Sequence, residues 1–385
     1  MIDRYCAVAL QPAMWGMARK EDKEKTVAKN LAHIEDCIDN FAGCLASMEY
    51  PVKLIALPEQ AIQGFGDSDG GVDIPHDRCA KEFYNTTVPG PETERLGKKA
   101  KEHRTYIIGT IRAVEPDFPD RYFAVNFLIN PTGKVIAKFH KLQVFPLEAS
   151  CVPQDIYDDW IRIRGNTLDA FFPVADTQIG KIGAIMCEDG SFPETARGCA
   201  MNGAEILFRP TYAQPLTGRG CFEVQNRARA MDNCCYLIAP CSGYYYLSPD
   251  STQSTNAVSG DTMLVDYQGA IINIVSTKGV GVSYASTVFD IKSLRDYRSK
   301  VLWPNHLKSL RTEPYSLIYK ESIHPKNLRL DPKKQPLLRD DRYRILRENI
   351  QRLTDRGVFT PTDYEPPPEV PIEKPGISNM PKAKK

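Results

Sequence analysis

The sequence predicts an α/β fold of four layers, an α-β-β-α sandwich in which helices cover the outer faces of two mixed β-sheets. Strand-like apolar runs alternate with amphipathic helical segments, and parallel crossovers of this kind place helices on the faces of a sheet. Two pairs of strand-like runs are joined by short turns, so antiparallel hairpins interrupt the parallel order and make the sheets mixed. Hydrophobic residues make up 42% of the 385 residues, which is enough for a core of this extent.

The N-terminal elements follow from the spacing of apolar residues, which is two in a half-buried strand and three to four in an amphipathic helix. Strands are predicted at RYCAVALQP (4–12), VKLIALPEQ (52–60) and TYIIGTIRAVE (105–115), and helices at about 21–48 and at PETERLGKKAKEHR (91–104). YFAVNFLIN (122–130) and KVIAKFHK (134–141) flank Pro131-Thr132-Gly133 and are expected to pair as a hairpin, because glycine favours the turn.

The same patterns continue through the second half. Further strands are predicted at TQIGKIGAIMC (177–187), AEILFRP (204–210), CYLIAPC (235–241) and GVSYASTVFD (281–290), and a second hairpin at 261–276 turns at Gln268-Gly269. Helices are predicted at 193–202, FEVQNRARAMDN (222–233) and IKSLRDYR (291–298). Pro193 suits the first of these helices, because its missing N–H costs nothing in a first turn.

From about Tyr315 the composition changes, so we expect a main domain over residues 1–314 and a C-terminal extension over 315–385. The extension contains one amphipathic helix within 331–357 and a charged tail rich in proline, which can bury little apolar surface. Two interpretations stay open for this extended C-terminal arm. Either it wraps a neighbouring molecule or stays mobile, or it is a tail without a role.

Composition excludes several function classes. The net charge of +1 gives no electrostatic reason to expect nucleic acid or an anionic membrane as a partner. We expect no membrane span and no N-terminal targeting signal, because apolar runs are short and charge follows the first one closely. The 11 cysteines form no CxxC pair and are scattered through predicted elements, which favours reduced thiols and a cytoplasmic location over a disulfide framework or a zinc site.

Three reactive residues follow three predicted strands. Glu59 comes after LIALP, Lys141 after VIAKFH and Cys187 after IGAIM. Loops at strand ends are where functional groups of α/β folds collect. A thiol needs a base to take its proton, and a tetrahedral intermediate needs donors for its oxyanion. A carboxylate, an ammonium group and the N–H after the cysteine supply these functions, and acyl transfer to the cysteine then requires no metal or cofactor.

These segments resemble the Glu-Lys-Cys triad of the nitrilase superfamily of carbon–nitrogen hydrolases, over roughly residues 4–305. The resemblance rests on LPE at Glu59, KFHK ending at Lys141 and CEDGSFPETARGCAMNGAEI from Cys187. The last block and RARAMDNCCYLIAPCSG (227–243) are most similar to the aliphatic amidase and formamidase branch. The resemblance implies hydrolysis of a linear amide through a cysteine thioester, giving a carboxylic acid and ammonia or an amine.

The resemblance also implies further site residues. Glu148 matches a second glutamate that positions the lysine or the nucleophile, although it could instead be a structural acid paired with Lys141. Phe145 matches an aromatic pocket position of the amidases, and ordinary packing is its alternative. The remaining substrate-binding candidates, chosen by their places beside these motifs or in the aromatic segment 149–178 that we expect to roof the pocket, are Glu188, Tyr212, Gln214 and Trp160. His140 is expected to be a packed or hydrogen-bonding histidine.

Other functions remain open. N-carbamoyl amino acid or ureido hydrolysis would use arginines for a substrate carboxylate, and Arg209, Arg227 and Arg229 lie in a suitable region. Nitrile hydrolysis is disfavoured because nitrilases usually carry tryptophan directly after the nucleophile, where this chain has Glu188. A non-catalytic binding protein of the same fold is the third alternative. The resemblance further implies a homodimer or a larger homo-oligomer, formed through the segments around 193–203 and 222–233.

Overall fold

The computed structural model describes residues 2–17, 19–45, 49–65, 76–146, 148–212, 220–254, 260–275, 282–330, 339–366 and 368. One sheet has the strand order β14-β1-β3-β4-β5-β6 and the other β13-β12-β10-β9-β8-β7. Both are mixed: β1, β3 and β4 run parallel in the first, β8, β9 and β10 in the second, and the outer pairings are antiparallel. This confirms the predicted pair of mixed sheets.

The strands lie close to their predicted positions. They are β1 (Arg4–Gln11), β2 (Met14–Trp15), β3 (Val52–Ala56), β4 (Tyr106–Glu115), β5 (Phe118–Ile129), β6 (Val135–His140), β7 (Ala175–Thr177), β8 (Gly180–Ala184), β9 (Ile206–Phe208), β10 (Tyr236–Ala239), β11 (Tyr245–Tyr246), β12 (Met263–Val265), β13 (Ile271–Ile274) and β14 (Ser283–Asp290). The helices are α1 (Lys23–Leu45), α2 (His76–Glu82), α3 (Pro91–Glu102), α4 (Tyr157–Arg164), α5 (Leu168–Phe171), α6 (Pro193–Met201), α7 (Cys221–Asn233), α8 (Ile291–Lys300), α9 (Thr312–Ser316) and α10 (Arg339–Asp355).

Three apolar layers hold the four structural layers together, and the period of two in β1 shows how. Tyr5, Ala7 and Ala9 face the second sheet, where a buried cluster includes residues of β8, β9, β10 and β12. The alternate residues of β1 face α1 and α3 in a second cluster. A third cluster joins β9, β10 and β12 to α6 and α7. Because β1 buries both of its faces, its apolar run is nearly continuous.

Two predictions of secondary structure were incomplete. The run TQIGKIGAIMC was predicted as one strand, but it forms the antiparallel pair β7 and β8. The Thr177 hydroxyl donates to the Gly180 carbonyl at 2.6 Å, and Gly180 has a φ of +114°, a conformation that glycine adopts without strain. The segment 149–178, predicted as a loop over the pocket, contains α4 and α5, and α2 was not predicted at all.

The described part of the C-terminal extension contacts the main body of the same chain. Arg121 donates to the carbonyls of Arg329 and Leu330, and the Arg329 guanidinium lies 3.4 Å from the buried Asp155 carboxylate. Arg342, in the first turn of α10, donates to the Pro146 carbonyl at 3.0 Å. No helix among the described residues is both long and apolar enough to cross a membrane.

Candidate active site

The three strand-end residues come from both sheets. Glu59 lies three residues after β3 and Lys141 directly after β6, both in the first sheet, whereas Cys187 lies three residues after β8 in the second. Glu59 and Lys141 are buried, and Cys187 is partly accessible. The packing of one sheet on the other therefore brings groups from opposite layers into one place.

Lys141 is the centre of this cluster. Its Nζ donates to Glu59 Oε1 at 2.8 Å and to Glu148 Oε2 at 2.6 Å. Burial alone would lower the pKa of Lys141, but the negative charges of Glu148 and Glu59 raise it well above its ordinary value. The ammonium group is therefore charged and held in place by two carboxylates.

Glu148 is held ionised from both sides. Its Oε1 accepts from the Ser150 hydroxyl at 2.6 Å and lies 3.7 Å from the Arg112 guanidinium. Burial opposes ionisation, yet the charges of Lys141 and Arg112 lower the pKa of Glu148 below its ordinary value. An ionised Glu148 can orient Lys141 but cannot donate a proton, which fits the supporting role predicted for it.

Glu59 connects the lysine to the nucleophile. Its Oε2 accepts from the Tyr212 N–H at 3.2 Å, while the Glu59 side chain also hydrogen-bonds Cys187. Desolvation of the thiol raises the pKa of Cys187 well above its ordinary value, and the charge and hydrogen bond of Glu59 add to this, with Lys141 opposing. The resting group is therefore a thiol that is hydrogen-bonded to the Glu59 side chain.

Cys187 begins a tight turn. Residues Cys187–Ser191 form a 3₁₀ turn, and Cys187 itself has a φ of +48°. The left-handed conformation costs a non-glycine residue roughly 1–2 kcal/mol. Its N–H donates to the Pro210 carbonyl at 2.9 Å, which ties the turn to the end of β9. Such sharp strand-to-helix turns present a nucleophile at the edge of a sheet.

Asp189 joins this turn to the segment after Lys141, a function that the sequence analysis did not assign. Its Oδ1 accepts from the N–H groups of Leu142 and Gln143 at 3.0 and 2.7 Å, and its Oδ2 from the Met186 N–H at 3.1 Å. Burial raises the pKa of Asp189 to about 7. One carboxylate thus sets the position of the nucleophile against that of the lysine.

The three arginines considered as ligands for a substrate carboxylate all bind backbone carbonyls. Arg209 donates to the Cys187 carbonyl from Nε and Nη2, both at 3.3 Å. Arg229 donates to Gly190 and Ser191 carbonyls at 3.1 and 3.0 Å. Arg227 donates to the Gly269 carbonyl at 2.9 Å. These donors already have partners, which argues against the N-carbamoyl alternative.

The predicted pocket residues have different surroundings. Phe145 is 40% exposed close after Lys141. The Tyr212 ring packs 4.2 Å from the Phe65 ring and 4.8 Å from the Tyr245 ring, centroid to centroid. Glu188 is half-buried beside the nucleophile, and burial raises its pKa. Gln214 lies outside the described residues.

Trp160 lies in a packed aromatic cluster. It is 2% exposed and its ring stacks on Phe118 at 5.2 Å, with His140 at 4.9 Å on another side. Its Nε1 donates to the Ala170 carbonyl at 3.0 Å. These contacts favour a packing role over the substrate contact that we predicted. Trp160 thus packs against Phe123 of β5 and His140 of β6.

A possible metal-binding group among the described residues lies elsewhere, formed by Asp39, Glu102 and His103 on α1 and at the end of α3. The Lys99 ammonium donates to Asp39 and Glu102, at 2.6 and 3.1 Å in its nearest contacts, and so forms a salt bridge with each carboxylate. Neither helix supplies any of the residues around Cys187.

Several known proteins are similar to this chain in sequence. The family model for carbon-nitrogen hydrolases matches residues 7–298. Nitrilase homolog 2 of Dictyostelium discoideum is 26% identical over 285 residues, which are 73% of this chain and 75% of that protein. A formamidase of Bacillus cereus (strain B4264) is 29% identical over 219 residues, 55% of this chain and 58% of the formamidase.

Solved structures share the fold. Nit3 of Saccharomyces cerevisiae, a member of branch 10 of the nitrilase superfamily, has a TM-score of 0.56 at 21% identity, covering 78% of this chain and 96% of Nit3. A variant of the amidase from Nesterenkonia sp. AN1 has a TM-score of 0.57 at 17% identity, covering 81% and 96%. That variant carries the acetamide moiety of fluoroacetamide, covalently added at its active-site cysteine.

Proposed function

The chain belongs to the carbon-nitrogen hydrolase family, within the nitrilase superfamily and its amidase-like branch, and on that premise we propose that it hydrolyses a small linear amide through a thioester on Cys187. The observation that carries the proposal is the set of hydrogen bonds on Glu59. This one carboxylate contacts both the nucleophile and the Lys141 ammonium. A group in that place can move a proton to and from Cys187 while the lysine stabilises negative charge.

The first half-reaction forms the acyl-enzyme. Glu59 takes the proton of Cys187, and the sulfur attacks the amide carbonyl carbon. The carbonyl oxygen becomes an oxyanion held by Lys141 Nζ and the Glu188 N–H. The C–N bond then breaks as Glu59 gives its proton to the leaving nitrogen, which departs as ammonia or an amine. A thioester remains on Cys187, and Glu59 is again a carboxylate.

The second half-reaction uses the same groups. Glu59 takes a proton from a water molecule, whose oxygen attacks the thioester carbon. The second oxyanion occupies the same donors, and it collapses by breaking the C–S bond. The proton on Glu59 returns to the cysteine sulfur, and a carboxylic acid leaves. Glu148 stays ionised and keeps Lys141 in place through both halves.

Several finer assignments belong to this proposal. Phe145, Tyr212 and Glu188 are proposed to border the substrate. Residues 1–314 are proposed to form the catalytic domain, with 315–385 as an extension, and a cytoplasmic location is proposed from the reduced thiols. A homodimer or larger homo-oligomer is proposed through α6 and α7, whose exposed apolar side chains include Met201, Val224 and Met231. Sedimentation showing only monomers at micromolar concentration would contradict the last of these.

A panel of substrates tests the proposal. The protein and its Cys187→Ala variant are incubated with short aliphatic amides, N-carbamoyl amino acids, ureas and nitriles, and released ammonia is measured. We expect release from one or more amides with the parent protein alone. Release only from N-carbamoyl amino acids or only from nitriles would replace the proposed substrate class. Equal release by the Cys187→Ala variant would refute the proposed nucleophile.

A further inference from the structure

One peptide unit carries two of the groups described above. The carbonyl of Cys187 and the N–H of Glu188 belong to the same planar amide, whose electrons are shared across O, C and N. The proposed function uses the N–H as an oxyanion donor. The carbonyl oxygen of the same unit accepts from Arg209 Nε and Nη2, both at 3.3 Å. Arg209 thus contacts the oxyanion donor through the amide that carries it.

Neighbouring N–H groups in the turn are engaged within the protein. The Cys187 N–H donates to the Pro210 carbonyl and the Asp189 N–H to the Met186 carbonyl, each at 2.9 Å. Among the described residues, no acceptor takes the Glu188 N–H. This leaves the Glu188 N–H available to a ligand.

The position of Arg209 is set from several sides. Its side chain is fully buried directly after β9. Nη1 donates to Asn226 Oδ1 at 2.8 Å and Nη2 to Gln225 Oε1 at 2.7 Å, both on α7. The Phe222 ring lies beside the guanidinium carbon, which is 5.0 Å from the ring centroid. Although burial lowers the pKa of Arg209 to about 10, the group keeps its charge at neutral pH.

Gly190 makes this contact sterically possible. A Cβ built on Gly190 would lie 1.9 Å from Arg209 Nε and 2.4 Å from its Cζ, so any other residue at this position would displace the guanidinium. This steric requirement explains why the CEDG motif has glycine at position 190, and the explanation does not involve the substrate. The glycine leaves the space through which the guanidinium reaches the Cys187 carbonyl.

We propose that Arg209 is a positioning residue that polarises the Cys187–Glu188 peptide and so strengthens the Glu188 N–H as oxyanion donor. A cation on the carbonyl oxygen draws electron density from the nitrogen, and chains of hydrogen bonds strengthen one another by roughly 10–30% per bond in condensed phases. Negative charge near the N–H in turn makes the carbonyl oxygen more basic. The 3.3 Å contacts then shorten in the transition state, as catalytic hydrogen bonds commonly do.

Arg229 provides a matched comparison in the same turn. It too is a buried arginine that binds backbone carbonyls, but those of Gly190 and Ser191, which are not part of the donor peptide. A purely structural arginine affects every reaction of Cys187 alike. A polarising arginine affects only reactions that form an oxyanion, and this difference can be measured.

The experiment compares three reactions in Arg209→Gln, Arg209→Lys, Arg229→Lys and the parent. The first is amide hydrolysis, measured as kcat/KM. The second is binding of the corresponding aldehyde, which adds to the thiol and forms an oxyanion without turnover. The third is alkylation of Cys187 by iodoacetamide, followed by mass spectrometry of the Cys187 peptide, which forms no oxyanion. Circular dichroism checks the fold of each variant.

Loss of a whole oxyanion donor costs about 10²–10³-fold, so we expect Arg209→Gln to weaken amide hydrolysis and aldehyde binding in parallel by about tenfold to hundredfold. Alkylation falls much less, and Arg209→Lys, which keeps the charge, restores part of the loss. In Arg229→Lys all three reactions change by similar factors. An equal fall of all three in folded Arg209→Gln overturns the proposal, and if that variant does not fold, the ratios in Arg209→Lys decide.

This inference rests on the proposed function, and the aldehyde measurement separates the two. A parent protein that binds the aldehyde but hydrolyses no amide refutes the proposed function, while the Arg209 variants are still judged by aldehyde binding against alkylation. A parent protein whose Cys187 is alkylated but binds no aldehyde has no oxyanion site, and that result overturns the role of Arg209.

Discussion

His140 and Lys141 are neighbours at the end of β6, but their side chains enter two different clusters of buried charge. The Lys141 cluster consists of Lys141, Glu59 and Glu148, with Cys187 beside Glu59. The Glu115 cluster consists of Glu115 with Lys138, His140 and Arg164. Consecutive residues of an extended chain point in opposite directions, so one strand end serves both clusters.

The two clusters differ in which charge is surrounded. Glu115 accepts from Lys138 Nζ at 2.7 Å through both oxygens and from His140 Nε2 at 3.1 Å, with Arg164 Nη2 at 3.6 Å. The Glu115 cluster thus places one acid among three basic side chains, and no thiol belongs to it. In the Lys141 cluster one base lies between two acids, and one of these acids also contacts a thiol. Buried charge alone does not make an active site; a proton must be able to move within it.

The largest expected effect tests the thiol itself. Cys187→Ala removes the proposed nucleophile, so we expect the rate of amide hydrolysis to fall by roughly 10⁴-fold or more, with the fold unchanged. The control is Cys37→Ala, which removes a buried thiol between α1 and the first sheet and should retain a rate close to that of the parent. Ammonia release and circular dichroism measure both variants. Residual turnover at the parent level in Cys187→Ala would contradict the assignment.

Removal of the proton carrier or the oxyanion donor should cost somewhat less. Glu59→Gln and Lys141→Ala are each expected to lower kcat by about 10²–10⁴-fold, since general acid–base groups and oxyanion donors contribute on that scale. Lys141→Ala also removes the ammonium group shared by the buried carboxylates of Glu59 and Glu148, so its melting temperature should drop as well. A near-normal kcat in either folded variant would remove that residue from the mechanism.

A third test compares the two clusters directly. Glu148→Gln keeps the size of the side chain but removes the negative charge that holds Lys141. We expect kcat to fall by about tenfold to hundredfold, as when a partner that orients a functional group is lost. Glu115→Gln is the matched change in the other cluster and should leave kcat close to that of the parent. If both substitutions lowered kcat equally, the distinction between the clusters would fail.

The stability of the protein in acid should depend on Glu115. Burial opposes ionisation of Glu115, but the hydrogen bonds and charges of His140 and Lys138 hold its pKa to about 2, below the ordinary value near 4.3. The folded state therefore binds this proton less readily than the unfolded state. Glu115 contributes about 3 kcal/mol of stability above pH 4.3, and this is lost as the pH falls through 2.

Urea unfolding between pH 5 and pH 2 measures this contribution. We expect the free energy of unfolding of the parent to fall in this window, and that of Glu115→Gln to be lower at pH 5 and to depend less on pH. A slope unchanged by the substitution would show that other groups control acid stability.

The smallest effects concern the aromatic residues. Phe145→Ala should raise KM for the amide by a few-fold, because Phe145, a proposed pocket residue four positions after Lys141, is partly exposed and alanine would offer the substrate less apolar area. Trp160→Phe should leave KM unchanged and lower the melting temperature, because Trp160 packs among Phe118, Phe123 and His140. Steady-state kinetics on one amide distinguishes the substrate contact of Phe145 from the packing role of Trp160. A raised KM in Trp160→Phe would instead indicate that Trp160 contacts the substrate.

Much of the fold could be predicted from local patterns. The two mixed sheets and covering helices are confirmed, since alternation in β1 and helical spacing in α1 are properties of short stretches of chain. The turn between β7 and β8 was missed because a Thr177 hydroxyl bond and one glycine reverse the chain within an apolar run. The helix α4 was missed because its eight residues give too short a periodic pattern.

The sequence by itself determined the order of layers and the three strand ends where reactive residues stand, and their motifs were sufficient to indicate the family. Only the tertiary structure decided which charges meet. Glu59 and Lys141 are 82 positions apart, and Glu59 and the N–H of Tyr212 are 153 apart. It also turned Arg209 and Arg229 toward the nucleophile turn and Trp160 into the core. The reason is that hydrophobic periodicity is a property of residues close together in the sequence, whereas the distance between remote side chains depends on how whole sheets pack together.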